Sequence, residues 1–244
     1  MIIRHLAITP STMAEARALL AAGDTSTQAV LAEAQTSGRG RLGRVWQTFP
    51  APSSMACTYI VRQECAHLPL LASLAVLNAA RQLGHGTGLT IKWPNDLLLN
   101  GRKVAGILCE GLNPALFLVG IGLNLQAPPE VPADFPGTFL GTTQTHETFA
   151  KTIGACLFAD LALYRTQGWA AFHHNYAHAC STFGQPITWR GGAGNQELTG
   201  LARGLTQQGH LELVANDGTV HIIPSGEIVA QGSMAAAPSR PTAI

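Results

Sequence analysis

Between residues 38 and 44 the chain reads Gly-Arg-Gly-Arg-Leu-Gly-Arg, and no regular element is favoured there. Glycine at every second or third position costs backbone entropy in helix and strand interiors alike. The segment is therefore a loop that buries no core of its own, and the fold must be built from what lies on either side. It also concentrates charge. Three of the 15 Lys and Arg fall within these seven residues, in a chain that is only 12% charged. Guanidiniums and exposed backbone N–H groups suit a phosphate or carboxylate. A loop of this kind is expected to move when empty and to order around an anion.

The remaining totals exclude more than they assign. At 244 residues the chain can bury a substantial core in one large domain or two. Net charge is +1, so no global basic excess points to nucleic acid. Cys57, Cys65, Cys109, Cys156 and Cys180 are scattered without a C-x-x-C pair, which argues against a zinc site or disulfide framework and fits a reducing cytoplasm. The longest apolar run, residues 68–80, contains Ser73 and Asn78 and is too short for a bilayer, and the N-terminus lacks a signal-peptide layout. Among the nine histidines, His174 and His178 are four apart on an expected helix with no third ligand, and read as surface residues. No metal site made of side chains is expected.

Periodicity gives the order of elements. Thr12 and Glu15 form a capping-box pattern ahead of a helix over residues 16–22, stopped by Gly23. Strands are expected over 29–35, 55–62, 90–93, 96–99, 102–111 and 116–125, and helices over 70–83, 147–166 and 169–180. After Phe183 the texture changes to five short strands, 186–190, 196–205, 209–214, 219–223 and 227–230, separated by glycine turns, which suggests a small barrel. The expected domains are 1–183 and 184–232, followed by an Ala- and Pro-rich tail over 233–244 expected to be disordered.

Asn100-Gly101 is a strong two-residue hairpin signal. A regular ladder from that turn sets Leu98 opposite Lys103 and Asp96 opposite Ala105. Asp96, Leu98, Lys103, Ala105 and Ile107 then share a face, with Asp96 diagonal to Lys103 at about 7 Å and Ala105 leaving space for a ligand. A cation and an anion on an otherwise apolar strand face need a partner; an exposed ion pair on an open face is the other reading.

Taken together, Gln35-Thr-Ser-Gly-Arg-Gly-Arg-Leu-Gly-Arg-Val-Trp46, Lys92-Trp-Pro-Asn-Asp96 and Lys103-Val-Ala-Gly-Ile-Leu108 closely resemble the biotin protein ligases, also called biotin–[acetyl-CoA-carboxylase] ligases. Ser11-Thr12, Gly120-Ile-Gly-Leu-Asn124 and Pro224-Ser-Gly-Glu-Ile228 fall in the family's order, so the resemblance spans about residues 8 to 230. It implies an α/β (α+β) fold: a mixed-sheet catalytic domain related to class II aminoacyl-tRNA synthetases, then a small SH3-like β-barrel. It also implies a two-step reaction. Biotin and MgATP give biotinyl-5′-AMP, which then acylates one lysine of a biotin carboxyl carrier protein.

By matching positions, Ser11, Thr12 and Gln35 resemble biotin-contacting residues, and Arg39, Gly40 and Arg41 the loop that closes over biotin and the adenylate phosphate. Lys103 matches the lysine on biotin's carboxylate, where a fixed ammonium stabilises developing charge. Trp46 matches a position that stacks on adenine; a core aromatic is the competing reading. Arg44, Asn95 and Asn124 match positions near ATP, its phosphates and its metal, Mg²⁺. Asp96 is the expected group to orient the acceptor amine and draw off its proton, which makes Lys103, Arg41 and Asp96 the catalytic set.

Two departures stand out: Met13, where the family commonly has Asn, and 50–55, which replaces a Pro-x-Gly-x-Asn-Leu pattern. The chain leaves no room ahead of Ser11 for a helix-turn-helix domain, so no operator DNA binding is expected, and a homodimer is compatible with the sequence. A lipoate or octanoate ligase is disfavoured because the Arg-Arg-x-Ser-Gly-Gly-Gly-type segment of those proteins is not found. A non-catalytic biotin sensor would not need both Arg41 and Lys103. For the barrel, clamping nucleotide and docking the carrier are both open.

Overall fold

Seven strands form one mixed sheet because successive segments pair antiparallel except at one edge. The computed structural model describes residues 1–192 and 194–232. Its first compact unit is Met1–Ala179, and a second begins at Cys180. In the first, the strands are β1 (Ile3–Thr9), β2 (Ala29–Gln35), β3 (Ser54–Val61), β4 (Leu89–Lys92), β5 (Asp96–Leu99), β6 (Arg102–Asn113) and β7 (Leu116–Asn124), in spatial order β1-β2-β3-β7-β6-β5-β4. Only β1 and β2 run parallel. Their connection carries α1 (Thr12–Ala21), as a parallel crossover requires. Strand β1 is not foreseen from sequence: its apolar residues Ile3, Leu6 and Ile8 do not alternate regularly, and Ile8 is exposed.

The two faces of this sheet are built differently. On one, Tyr59, Leu97, Ala105, Ile107, Ile121 and Leu123 are fully buried, and helices α2 (Leu68–Gln82) and α3 (His146–Gln167) pack against the strands and each other. Each buried Leu or Ile contributes about 1.5–3 kcal/mol there. Tyr59 Oη also donates to the Ala150 carbonyl of α3 at 2.7 Å. On the other face α1 covers β2, β3 and β7, and β7 carries glycine at alternate positions, 120 and 122, covered by Met13 and by the Trp46 indole. The first face is filled by large side chains; the second holds a smaller cluster of Met13, Ala16, Val30, Ile60 and Leu118 beside the two glycines. A last helix, α4 (Ala170–Ala179), closes the unit.

Helix α1 corrects one expectation. It starts at Thr12, not residue 16, and Ser11 is its N-cap without a side-chain cap bond. The apparent capping box is used elsewhere: Glu15 accepts from Thr9 Oγ1 at 2.9 Å, and Thr12 turns to Gln35. Gly23 ends the helix as expected, at φ +83°.

The second unit holds the five short strands expected from sequence, β8 (Pro186–Gly191), β9 (Gln196–Leu205), β10 (Leu211–Ala215), β11 (Val220–Ile223) and β12 (Glu227–Gln231). They form an antiparallel sheet in the order β11-β10-β9-β8-β12 around Ile187, Trp189, Ala202, Leu211, Leu213 and Ile228. The expected disordered tail, 233–244, lies outside the described residues.

Candidate active site

The site starts from a hairpin turn. Asn100 and Gly101 adopt φ +50° and +79°, the left-handed pair of a type I′ turn, and Leu98 sits opposite Lys103. Beyond that point the ladder departs from the regular register. A bulge makes Val104 the extra residue, so Leu97 opposes Ala105 and Asp96 opposes Gly106. This corrects the expected pairing of Asp96 with Ala105. Ala105 turns into the core, and Gly106 joins Lys103 and Asp96 on the open face. A bulge re-aims a side chain in this way. Lys103 Nζ reaches Asp96 Oδ1 at 2.7 Å, with the lysine side chain 39% exposed and the aspartate 21%.

Glycine makes the floor beside this pair. Gly106 and Gly122 are directly opposed on β6 and β7. A Cβ at Gly122 would overlap the Trp46 indole, and one at Gly106 would lie 3.0 Å from Trp46 Cζ3 and 3.2 Å from Lys103 Nζ. Only residues without a side chain admit a flat ring this close to the sheet. Lys103 Nζ stands 5.6 Å from the Trp46 ring centroid, within cation–π range. The indole N–H is buried and has no hydrogen-bond partner, as is Thr48 Oγ1. The indole itself covers the two glycines, and its orphaned donor marks a place where a polar ligand atom fits.

The glycine-arginine loop lies over this floor. Trp46 N donates to Gly38 O at 2.9 Å and Gly40 N to Arg44 O at 2.7 Å, which folds the segment into two short arms joined by a 3-10 turn, Arg41–Gly43. Gly38 has no room for a Cβ because the Trp46 carbonyl occupies it. Arg41 Nη1 donates to Asn95 Oδ1 at 3.0 Å, and Asn95 Nδ2 donates to Ile107 O at 2.7 Å, so the guanidinium is tied to the hairpin through one amide. Arg39 points elsewhere, with Nη2 at 3.6 Å from Glu110 Oε1. Gly40 is half-buried in the arm, and Arg44 is exposed at its end.

At the far end of the floor the groups are polar. Thr12 N and Oγ1 both donate to Gln35 Oε1, at 2.8 and 3.1 Å, and Thr58 Oγ1 donates to Thr12 Oγ1 at 2.8 Å. Ser11 and Thr12 are buried beside them. Met13 covers Gly120, its Sδ 2.9 Å from where a Cβ would stand. A thioether thus stands at this end in place of an amide.

Asn124 is placed differently from its neighbours. It is 2% exposed; its Oδ1 accepts from Ser54 Oγ at 3.3 Å and its Nδ2 donates to Thr138 O at 3.0 Å. His146 contacts the Ser54 carbonyl at 3.0 Å, and burial holds its pKa below the usual 6.5 against that hydrogen bond. This network fixes the start of β3, just after the loop.

The structure therefore brings Lys103, Asp96, Asn95, Arg41 and Trp46 together, gathers Ser11, Thr12 and Gln35 at the opposite end, and sets Arg39 apart on Glu110. Sequence reasoning missed Gly106, Gly122, Thr58 and Glu110. The signal for the glycines was present, since Gly120-Ile-Gly-Leu alternates bare and bulky positions along a strand. Glu110 left no such signal.

Known proteins resemble this chain over most of its length. Residues 6–125 match the biotin/lipoate A/B protein ligase family and residues 182–230 the biotin protein ligase C-terminal domain. Over 241 residues the chain is 36% identical to the biotin–[acetyl-CoA-carboxylase] ligase of Paracoccus denitrificans, covering 91% of this chain and 98% of that one. The chain belongs to the biotin protein ligase family. The corresponding ligase of Mycobacterium tuberculosis is 34% identical, with 92% and 87% coverage. Among solved ligases, that of Leishmania major in complex with biotinyl-5-AMP superposes with a TM-score of 0.63 at 28% identity, covering 91% of this chain and 98% of that one. The biotin protein ligase of Aquifex aeolicus in complex with biotin and ATP reaches a TM-score of 0.80 at 23% identity, covering 96% and 99%, which establishes the shared fold.

Proposed function

We propose that this chain is an ATP-dependent ligase that joins biotin to ATP as biotinyl-5′-AMP and passes the biotinyl group to a lysine of a biotin carboxyl carrier protein. The observation that carries this reading is the convergence of Lys103, Trp46 and the Asn95-tethered Arg41 over one glycine floor. The Trp46 ring lying on that floor offers a face for adenine, and the cations meet an acid and a phosphate at its edge. Catalysis and binding of both substrates are assigned to the first compact unit.

In the first step a carboxylate oxygen of biotin attacks the α-phosphorus, the bond from that phosphorus to the bridging oxygen breaks, and pyrophosphate leaves. The carboxylate is already ionised, so no base is needed, and positioning and charge neutralisation carry the rate. Lys103 Nζ, held by Asp96 at 2.7 Å, stands fixed before charge develops, which is what makes an ammonium effective there. Arg39 and Arg41 neutralise the biotin carboxylate and the phosphate, with Arg44 at the loop's end, and Asn95 sets the direction of Arg41. The Thr12–Gln35–Thr58 chain and Ser11 meet the polar head of biotin. Asn124 acts by holding Ser54 and the loop base, and the orphaned indole N–H of Trp46 serves the adenylate. Mg²⁺ enters with ATP, and such an ion keeps most of its waters and leans on the phosphates.

In the second step the carrier's lysine nitrogen attacks the acyl carbon, the carbon–oxygen bond to AMP breaks, and the amine's proton passes to solvent. Asp96 orients that amine; an ordinary carboxylate is a weak base toward an ammonium. The reaction is placed in the cytoplasm, where thiols such as Cys57 and Cys65 stay reduced.

The test is pyrophosphate release, or exchange into ATP, with biotin, lipoate or no acid. Activity with biotin alone is expected. Exchange supported by lipoate and not by biotin, or no exchange with either, would overturn the reading.

A further inference from the structure

Glu110 presents a carboxylate on the same face of β6 as Gly106 and Leu108, four residues from the floor, or about 13 Å along the strand. Its two oxygens serve two different arginines. Oε2 pairs with Arg17 on α1, and Oε1 lies 3.6 Å from Arg39 Nη2 of the loop. Arg41 is meanwhile tied to Asn95 at the opposite end of the floor. Two of the loop's three arginines are thus splayed apart, one of them on a carboxylate of the protein's own.

Resting on the ligase reading above, we propose that Glu110 is a positioning residue whose carboxylate stands in for the substrate's: it parks Arg39 while the site is empty and yields it when biotin's carboxylate arrives. The chemistry of the two acceptors is the same, so they compete for one guanidinium. Arg17 makes the exchange tolerable. It sits on a helix rather than the loop and keeps Glu110, 23% exposed, compensated after Arg39 departs; a half-buried carboxylate left alone would oppose the move. Arg17 also weakens the parking contact by sharing the carboxylate's charge.

This predicts opposite signs for two substitutions. Glu110→Gln removes the competing anion at constant shape, so KM for biotin falls about two- to five-fold at low ionic strength with kcat unchanged within error, in line with an exposed pair. Arg17→Gln leaves Glu110 with Arg39 alone, so KM for biotin rises. High salt shrinks both differences. The measurement is biotin-dependent pyrophosphate exchange as a function of biotin and salt, with melting temperatures confirming that each variant folds. An unchanged or raised KM in Glu110→Gln, or shifts of the same sign in both variants, overturns the proposal while wild-type exchange upholds the ligase reading. Absence of exchange in wild type overturns the ligase reading and this proposal with it.

Discussion

The β5–β6 hairpin and the glycine-arginine loop both deliver cations to one floor, by opposite means. Lys103 is placed by backbone: a two-residue turn sets its register, a bulge turns Gly106 to its side, and Asp96 fixes its ammonium. Arg39 and Arg41 are placed by side chains, through Glu110 and Asn95, on arms with few backbone bonds of their own. On the proposed ligase reading, charge needed in position before reaction sits on the sheet, and charge that rearranges around a ligand sits on contacts that cost little to break. The Asn95 amide is the link between them, since it bonds both Arg41 and the Ile107 carbonyl.

Substitutions can break that contrast. The largest effect is expected at the rigid end. Lys103→Gln should cut pyrophosphate exchange by about 10²–10³-fold, the loss typical of one preorganised charge-stabilising donor, with little change in melting temperature because the side chain is 39% exposed. Exchange equal to wild type would remove Lys103 from the chemistry. Gly122→Ala tests the floor. Its backbone conformation suits alanine, as it is not among the positive-φ glycines, so the effect is steric: the methyl displaces Trp46, and KM for ATP should rise about ten-fold. Fluorescence of Trp46 against a Trp46→Phe control follows the displacement, and an unshifted indole signal would contradict the floor.

Smaller effects sharpen the comparison. Asn124→Ala strips two buried hydrogen bonds behind the loop and strands the Thr138 carbonyl. A loss of about 1–3 kcal/mol in denaturant unfolding is expected, with a raised KM for ATP. Stability equal to wild type would place its role in ligand binding alone. Asp160 on α3, far along the filled side of the sheet, is a control for stability without catalysis. Burial raises its carboxyl from 3.8 to about 6, and its Oδ2 has no partner. A raised acid favours the neutral form in the fold, so its contribution is present below pH 3.8 and lost as pH rises through 6. Asp160→Asn should therefore raise the melting temperature at pH 7.5, not at pH 3.5, and leave exchange unchanged. An equal gain at both values would assign the effect to something other than ionisation.

Much of this was written locally. The strand bounds 29–35, 96–99 and 196–205, the Asn100-Gly101 turn and the loop at 38–44 were legible in sequence, because turn chemistry and alternation act within a few residues. The identities of Lys103, Arg41 and Trp46 were legible through the family resemblance. Three features were not. The bulge at Val104 exchanged Ala105 for Gly106 because Val104, Ala105 and Leu97 all bury in the core beneath α2, a demand the hairpin alone does not contain. The Thr12–Glu15 pattern was spent on Gln35 and Thr9 when β1 and β2 came together on either side of α1. The pairing of Arg39 with Glu110 joins a loop to a strand 71 positions later. Sequence determined which charges and bare positions the chain owns; tertiary packing decided which faced one another, because contacts between distant segments depend on register and burial that no local pattern encodes.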